Sequence, residues 1–153
     1  GIIIGGGDQF LKKLLPIIRI SPIIPIFGNG MSKFQPVYVD DVAKAIETIL
    51  LKKIKGFHTY ELFSFEVYTY KDFYNLLCEC LGLKRFLLPI PFTFMQIILK
   101  IMTILPFELL TKEQLHLFKS DNLPINIDKN LNNLAIEPQS IREITKISLK
   151  KIL

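Results

Sequence analysis

Short runs of β-branched residues alternate along the chain with segments whose apolar residues recur every three to four positions. Ile2–Ile4 is such a run, and Gly5–Gly7 behind it predicts a buried strand that ends in a sharp turn. Asp8 suits the start of the helix that follows, and Pro16 suits its end. The apolar positions of this helix share one face: Phe10, Leu11, Leu14 and Leu15.

The same alternation continues beyond the first helix. Residues 21–27 contain two prolines, which favour an irregular or edge segment, and 28–30 predict a tight turn. Residues 36–39 predict a second strand, followed by a helix that Asp40 or Asp41 caps. The apolar positions of this second helix are Val42, Ala43, Ala45, Ile46, Ile49 and Leu50.

Two further strands and a helix complete the alternating part of the chain. His58 to Phe63 alternates in polarity and predicts a third strand. Thr69 opens a helix that Gly82 closes, and Phe86 to Leu88 predicts a short fourth strand. This order of strands and helices indicates an α/β fold.

The rest of the chain predicts helices. Phe92–Leu105 is the most hydrophobic segment; as a helix it would span roughly 20 Å, short of the ~30 Å hydrocarbon core of a bilayer. It suits a largely buried helix, with a membrane-surface or partner-facing helix as the alternative. Thr111–Gln114 and Ser140–Glu143 match capping boxes, and residues 122–133 form a polar loop between them.

Composition and charge narrow the classes of function. The 153 residues are half apolar, which is typical of a globular protein, and the net charge of +5 comes mainly from lysines spread along the chain. A nucleic-acid interface would instead cluster Lys and Arg with aromatic residues. Cys78 and Cys80 lie two residues apart on different helix faces, so we expect reduced thiols rather than a disulfide or a zinc site.

Candidate catalytic groups do not form a constellation in the sequence. None of the five tyrosines has a lysine four residues later, and Phe10 stands where the fingerprint Gly-x-Gly-x-x-Gly would need its last glycine. His58 and His116 fall in different predicted elements, and helix capping explains Asp40 and Asp41 better than an acid/base pair does. We therefore predict no catalytic and no metal-binding residue in this chain, and its enzymatic status stays open.

Several segments together resemble a known family. They are Ile3–Gly5, Asp8–Leu11, Pro25–Gly30, Phe34–Ala43, Tyr60–Leu62 and Val67–Asp72. They are similar to the second half of an extended or atypical short-chain dehydrogenase/reductase of the NAD-dependent epimerase/dehydratase group. Residues 110–115 and 119–122 favour the branch of the complex I accessory nucleotide-binding subunit, while Ser64-Phe65 stands where the family has Gly-Pro.

The resemblance implies a fold and a cofactor. The chain would be the C-terminal part of one Rossmann-like domain, with residues 1–63 as trailing strands and helices and 64–153 as the substrate-side and helical region. The N-terminal βαβ half with the glycine fingerprint would lie outside the chain. The full-length protein would bind NADP(H) or NAD(H), with Gly1, Ile2, Ile4 and Gln35 on the cofactor side, and the chain alone would not bind it tightly.

The resemblance also implies a function. The first hypothesis is a non-catalytic accessory or assembly subunit of respiratory complex I, bound to other subunits or to a membrane surface through Phe92–Leu105. It would lie in a bacterial cytoplasm or on the mitochondrial matrix side. The alternative is an active NAD(P)-dependent epimerase or reductase of a small molecule or nucleotide sugar, and an unrelated binding module is a third hypothesis. No nucleic-acid partner is expected.

Overall fold

The computed structural model describes residues 2–94, 118–125 and 127–152. Within them the helices are α1 (Gln9–Ile20), α2 (Val39–Leu51), α3 (Tyr70–Cys80) and α4 (Ile141–Ile152). The strands are β1 (Ile3–Ile4), β2 (Ile23–Phe27), β3 (Lys33–Phe34), β4 (Val37–Tyr38), β5 (Tyr68–Thr69) and β6 (Phe86–Ile90). Single 3-10 turns lie at Phe92–Phe94 and Asn132–Leu134. Most of Phe92–Leu105, the capping box at Thr111–Gln114 and His116 lie outside the described residues.

The chain divides into two compact units. Unit 1 consists of Gly1–Asp8, Phe34–Val67 and Leu123–Leu153, and unit 2 consists of Gln9–Lys33 and Tyr68–Asn122. Each unit is therefore assembled from segments that are distant in the sequence, and each contains one pair of parallel strands.

Unit 1 is built on the parallel pair of β1 and β4. Ile3 lies opposite Val37 and Ile4 opposite Tyr38, and α4 packs against both strands. Ala45 of α2 packs into a buried apolar cluster of the same unit. The other buried members of this cluster are Val37, Leu131 and Leu134.

Unit 2 is built on β2 and β6, which pair in parallel from Ile23 opposite Phe86 to Phe27 opposite Ile90. The proline-containing segment predicted to be irregular or an edge is thus an edge strand, which tolerates Pro25. Aromatic rings fill the core beside it: the ring centroid of Phe118 lies 5.4 Å from that of Phe27 and 4.3 Å from that of Tyr70.

Helix α3 begins and ends where the sequence predicts. The Thr69 hydroxyl oxygen accepts a hydrogen bond from the Asp72 amide at 3.0 Å, and Gly82 follows the last turn with a φ of 66°. Leu83 N–H donates to the Cys78 carbonyl at 2.9 Å, which completes a Schellman cap. Cys78 is buried and forms no disulfide here, and burial raises the pKa of its thiol; the reduced state of the thiols stays a prediction.

Helix α1 does not end at Pro16, so that prediction is wrong. The helix continues to Ile20 with Pro16 inside it, although a proline in a helix costs about 3 kcal/mol. The extra turn buries Ile18 completely. Its last carbonyls accept hydrogen bonds from the Arg85 guanidinium, at 2.6 Å for Ile18 and 2.8 Å for Arg19. Burial and a distant cation therefore offset the effect of the proline.

The predicted third strand at His58 to Phe63 is also wrong, because the structure has no regular element there. The alternation in polarity is real, since Tyr60 and Leu62 pack against the core cluster of unit 1. The backbone, however, hydrogen-bonds to a loop: Glu61 N–H donates to the Lys129 carbonyl at 2.9 Å. The alternating polarity was misleading because no strand of the described residues pairs with this segment.

Candidate functional site

The carboxyl ends of β1 and β4 form the candidate site, because open α/β sheets bind ligands beyond the carboxyl ends of their parallel strands. Here β1 runs into the turn Gly5–Gly7, and β4 passes directly into α2. Ile2, Ile4 and Gln35, which the resemblance places on the cofactor side, belong to this unit, whereas Gly1 lies outside the described residues.

Gly5 lets the end of β1 approach the start of α2 closely. A Cβ atom on Gly5 would lie 2.3 Å from Cγ1 of Val39, well inside van der Waals contact. The turn is closed by Asp8 N–H, which donates to the Gly5 carbonyl at 3.1 Å. The glycine run thus serves as a turn and a packing contact, in line with the structural role favoured from the sequence.

Replacing Gly5 with alanine is expected to destabilise unit 1 by about 1–3 kcal/mol, the usual cost of forcing a methyl group into a packed contact. Val39→Ala removes the opposing Cγ1, so the double variant Gly5→Ala/Val39→Ala should recover most of the loss. Urea unfolding followed by circular dichroism measures both. If the single and the double variant lose equal free energy of unfolding, the contact between Gly5 and Val39 does not explain the loss. Gly6→Ala is the control, because a Cβ on Gly6 would meet nothing within 4 Å.

The described cofactor-side residues are held by backbone pairing and one side-chain contact. Ile4 is fully buried in β1, and the Ile2 carbonyl accepts a hydrogen bond from Val37 N–H at 3.0 Å. Ile2 therefore pairs with Val37, and Gln35 lies two residues before Val37 in the sequence. The Gln35 amide donates to the Ser64 carbonyl. Their assignment to a cofactor stays a prediction.

The loop that contains Ser64-Phe65 joins this site to α4. Ser64 is buried, and its hydroxyl oxygen accepts a hydrogen bond from Glu66 N–H at 3.3 Å. The Glu66 carboxylate accepts one from the Ser140 hydroxyl at 3.0 Å and another from Ile141 N–H at the first residue of α4. A negative charge at a helix N-terminus is stabilising. The only signal in the sequence was the replacement of the family's Gly-Pro by Ser64-Phe65.

Asp40 and Asp41 do not cap α2, which corrects the prediction. The N-cap is Tyr38, which makes no side-chain capping bond, and both aspartates lie in the first turn. Asp41 is buried, accepts from Gln139 N–H at 2.9 Å and lies 3.6 Å from the Lys44 ammonium. A hydrogen bond to Asp40 raises the pKa of the half-buried Tyr38 phenol. The two carboxylates thus have separate partners.

The chemistry of these residues fits only part of a dinucleotide. Ile2 is half-buried, Ile4 is fully buried, and the Gln35 amide donates to the Ser64 carbonyl, so little polar surface faces a ligand. A pyrophosphate needs backbone N–H groups at a helix N-terminus without a competing negative charge, whereas Asp8 immediately precedes α1. These residues therefore do not fit the phosphates. Among the described parts of the chain, no group of three His, Cys, Asp or Glu side chains could hold a metal ion.

Comparison with known proteins places the fold. No protein-family model matches the chain. Over 67 residues, 43% of the chain, it is 39% identical to NADH dehydrogenase [ubiquinone] 1 alpha subcomplex subunit 9, mitochondrial, of Arabidopsis thaliana. That segment covers 17% of the relative.

Solved structures match nearly the whole chain. RMD from Pseudomonas aeruginosa complexed with NADPH aligns over 97% of it with a TM-score of 0.65 and 12% identity. dTDP-4-dehydrorhamnose reductase from Bacillus anthracis in complex with NADP aligns over 99%, with a TM-score of 0.59 and 14% identity. The chain has part of a short-chain dehydrogenase/reductase fold. The predicted resemblance and α/β class are confirmed, and the chain spans 45% and 46% of the lengths of these two proteins.

GDP-mannoheptose C4 reductase from Campylobacter jejuni with NADP bound shares this short-chain dehydrogenase/reductase fold, with a TM-score of 0.62 over 97% of the chain. Its sequence identity is 11%, and the chain spans 46% of its length. None of the helices in the described residues has both the length and the apolar character needed to cross a membrane.

Proposed function

We propose that the chain is part of a non-catalytic accessory or assembly subunit of the respiratory complex I type. The observation that carries this proposal is the 39% identity over 67 residues to a protein named as a subunit of NADH dehydrogenase. The proposed location is the mitochondrial matrix side or a bacterial cytoplasm, in association with the membrane. Other subunits or the membrane surface would contact Phe92–Leu105.

We further propose that the full-length protein binds NADP(H) or NAD(H). Support comes from solved structures of the same fold that contain NADP or NADPH. Gly1, Ile2, Ile4 and Gln35 would then line the cofactor side of one domain, in which residues 1–63 and 64–153 form its two regions. The phosphates would be held by residues other than those at the candidate site, where Asp8 stands beside the glycine turn.

The chain alone is expected to bind NADPH more weakly than the micromolar range. It has no complete Gly-x-Gly-x-x-Gly loop, which positions the pyrophosphate in dinucleotide folds. Isothermal titration with NADPH measures this, with an NADPH-binding reductase of the same fold as the positive control. Micromolar binding would contradict the prediction and would show that this chain contains a phosphate site.

An active reductase or epimerase is the second candidate. It is favoured by structures of the same fold named as reductases of dTDP-linked and GDP-linked sugars. Incubating the full-length protein with NADPH and a nucleotide-linked keto sugar tests it. NADPH oxidation that depends on the sugar would support the enzyme and contradict a purely structural role.

Native gel electrophoresis of respiratory membranes from the source cells tests the accessory role. The tagged full-length protein is expected to migrate with NADH dehydrogenase activity, and its deletion should lower the amount of assembled complex. Migration only as a free protein, with unchanged complex in the deletion strain, would overturn the proposal.

A further inference from the structure

The end of α2 carries an exposed surface that is both apolar and basic. This α2-end surface consists of Leu50, Leu51, Lys52, Lys53, Lys55 and Phe57, all exposed. The relative exposures of Leu50, Leu51 and Phe57 are 70%, 75% and 95%. Residues 48–60 contain three lysines and no acidic residue. Large apolar side chains and cations therefore occupy the same short stretch.

The α2-end surface has a defined backbone. Ile54 N–H donates to the Ile49 carbonyl at 3.4 Å and Lys53 N–H to the Leu50 carbonyl at 3.2 Å, which is a Schellman cap. Ile54 packs into the core cluster of unit 1 and anchors the stretch. Further on, His58 Nε2 donates to the Lys55 carbonyl at 2.9 Å. The exposed side chains thus project from a fixed scaffold.

Lys53 occupies a backbone position that normally favours glycine. Its φ is 49°, whereas the equivalent position after α3 is Gly82 with a φ of 66°. An L side chain is disfavoured in this left-handed conformation, and such strain is typical of functional surfaces. Helices α2 and α3 both end in a Schellman cap. The left-handed position is Gly82 after α3, but after α2 it is Lys53, which adds a cation to the α2-end surface.

A neighbouring loop extends the α2-end surface. Lys129 Nζ lies 2.6 Å from His58 Nδ1, so a fourth ammonium group lies beside the stretch. Ile125 and Ile127 of the same loop are also exposed. Two acidic residues lie near these side chains: Asp128 directly precedes Lys129, and Glu61 accepts a hydrogen bond from Ile125 N–H at 2.7 Å. Glu47 is the nearest acidic residue on α2 itself.

We propose that the α2-end surface docks on an anionic lipid membrane. Leucine and phenylalanine side chains can enter the headgroup boundary while lysine stems lie along them and the ammonium groups contact lipid phosphates. Lysine is depleted at protein–protein interfaces, and residues 50–57 contain none of the tyrosine, tryptophan and arginine that are enriched there. The inference is independent of whether the complete protein is a subunit or an enzyme.

Vesicle sedimentation of the chain tests the proposal. Wild type is expected to bind vesicles of phosphatidylcholine with phosphatidylglycerol, to bind pure phosphatidylcholine weakly, and to dissociate with added salt. Lys52→Gln/Lys55→Gln should lower partitioning about 25-fold, since each lysine near an anionic leaflet contributes about fivefold. Phe57→Ser should lower it about tenfold by removing an apolar contact.

The matched control is Lys12→Gln/Lys13→Gln, which removes the same charge from exposed positions on α1. It should change partitioning less than about twofold. The proposal is overturned if wild type does not bind anionic vesicles, if the control pair lowers binding as much, or if the α2-end variants bind like wild type, as binding through Phe92–Leu105 would predict. Binding to polyglutamate without binding to vesicles would also overturn it, in favour of an acidic protein partner.

Discussion

Asp41→Ala is expected to lower the free energy of unfolding of unit 1 by about 2–3 kcal/mol, because hydrogen bonds to buried charged groups are among the stronger ones. The carboxylate is 1% exposed and accepts from Gln139 N–H at 2.9 Å and from the Gln139 amide at 3.4 Å. Alanine would leave these partly buried donors without their acceptor. The first turn of α2 would also lose its link to the segment before α4.

Asp40→Ala is the matched control, because Asp40 carries the same charge in the same helical turn but is exposed. It should change stability by no more than about 0.5 kcal/mol. Urea unfolding followed by circular dichroism compares the two variants, and Asp41→Asn, which keeps one acceptor oxygen, should fall between them. Equal effects of the two alanine variants would show that Asp41 acts only through the helix dipole and not through Gln139.

Elements whose signals are local could be predicted from the sequence. The Thr69 hydroxyl marks the start of α3 and Gly82 its end, and both act as predicted. The family likeness was also readable, because blocks such as Phe34–Ala43 carry it in consecutive positions. The glycine turn after β1 was predicted, but its contact with Val39 was not, since that contact depends on how β1 and α2 approach in space.

The wrong predictions concern residues whose contacts lie far away in the sequence. The end of α1 depends on Arg85, more than sixty residues away, which outweighs the local effect of Pro16. Asp41 binds a residue 98 positions later instead of capping its own helix. Alternation and capping rules describe neighbours within a turn or a strand, so they cannot anticipate contacts that form only when distant segments pack together.

Glu66→Ala is expected to destabilise the start of α4 by about 2 kcal/mol, through loss of a capping acceptor and of a negative charge at the helix N-terminus. Glu66 accepts hydrogen bonds from Ser140 and Ile141, whereas the sequence predicted that Glu143 completes a capping box there. Amide hydrogen exchange measures the local stability of the first turn of α4, and urea unfolding measures the global free energy of unfolding.

Glu143→Ala separates the two explanations, because both variants remove one carboxylate from the same end of α4. If the distant Glu66 organises this helix start, Glu143→Ala should cost less than about 0.5 kcal/mol, and Glu66→Gln should retain part of the stability through its remaining acceptor oxygen. If Glu143→Ala costs as much as Glu66→Ala, the local capping box governs the helix start. The loop at Ser64–Glu66 would then be free to move without α4, and its hydrogen bond with Gln35 would no longer couple the candidate site to the C-terminal helix.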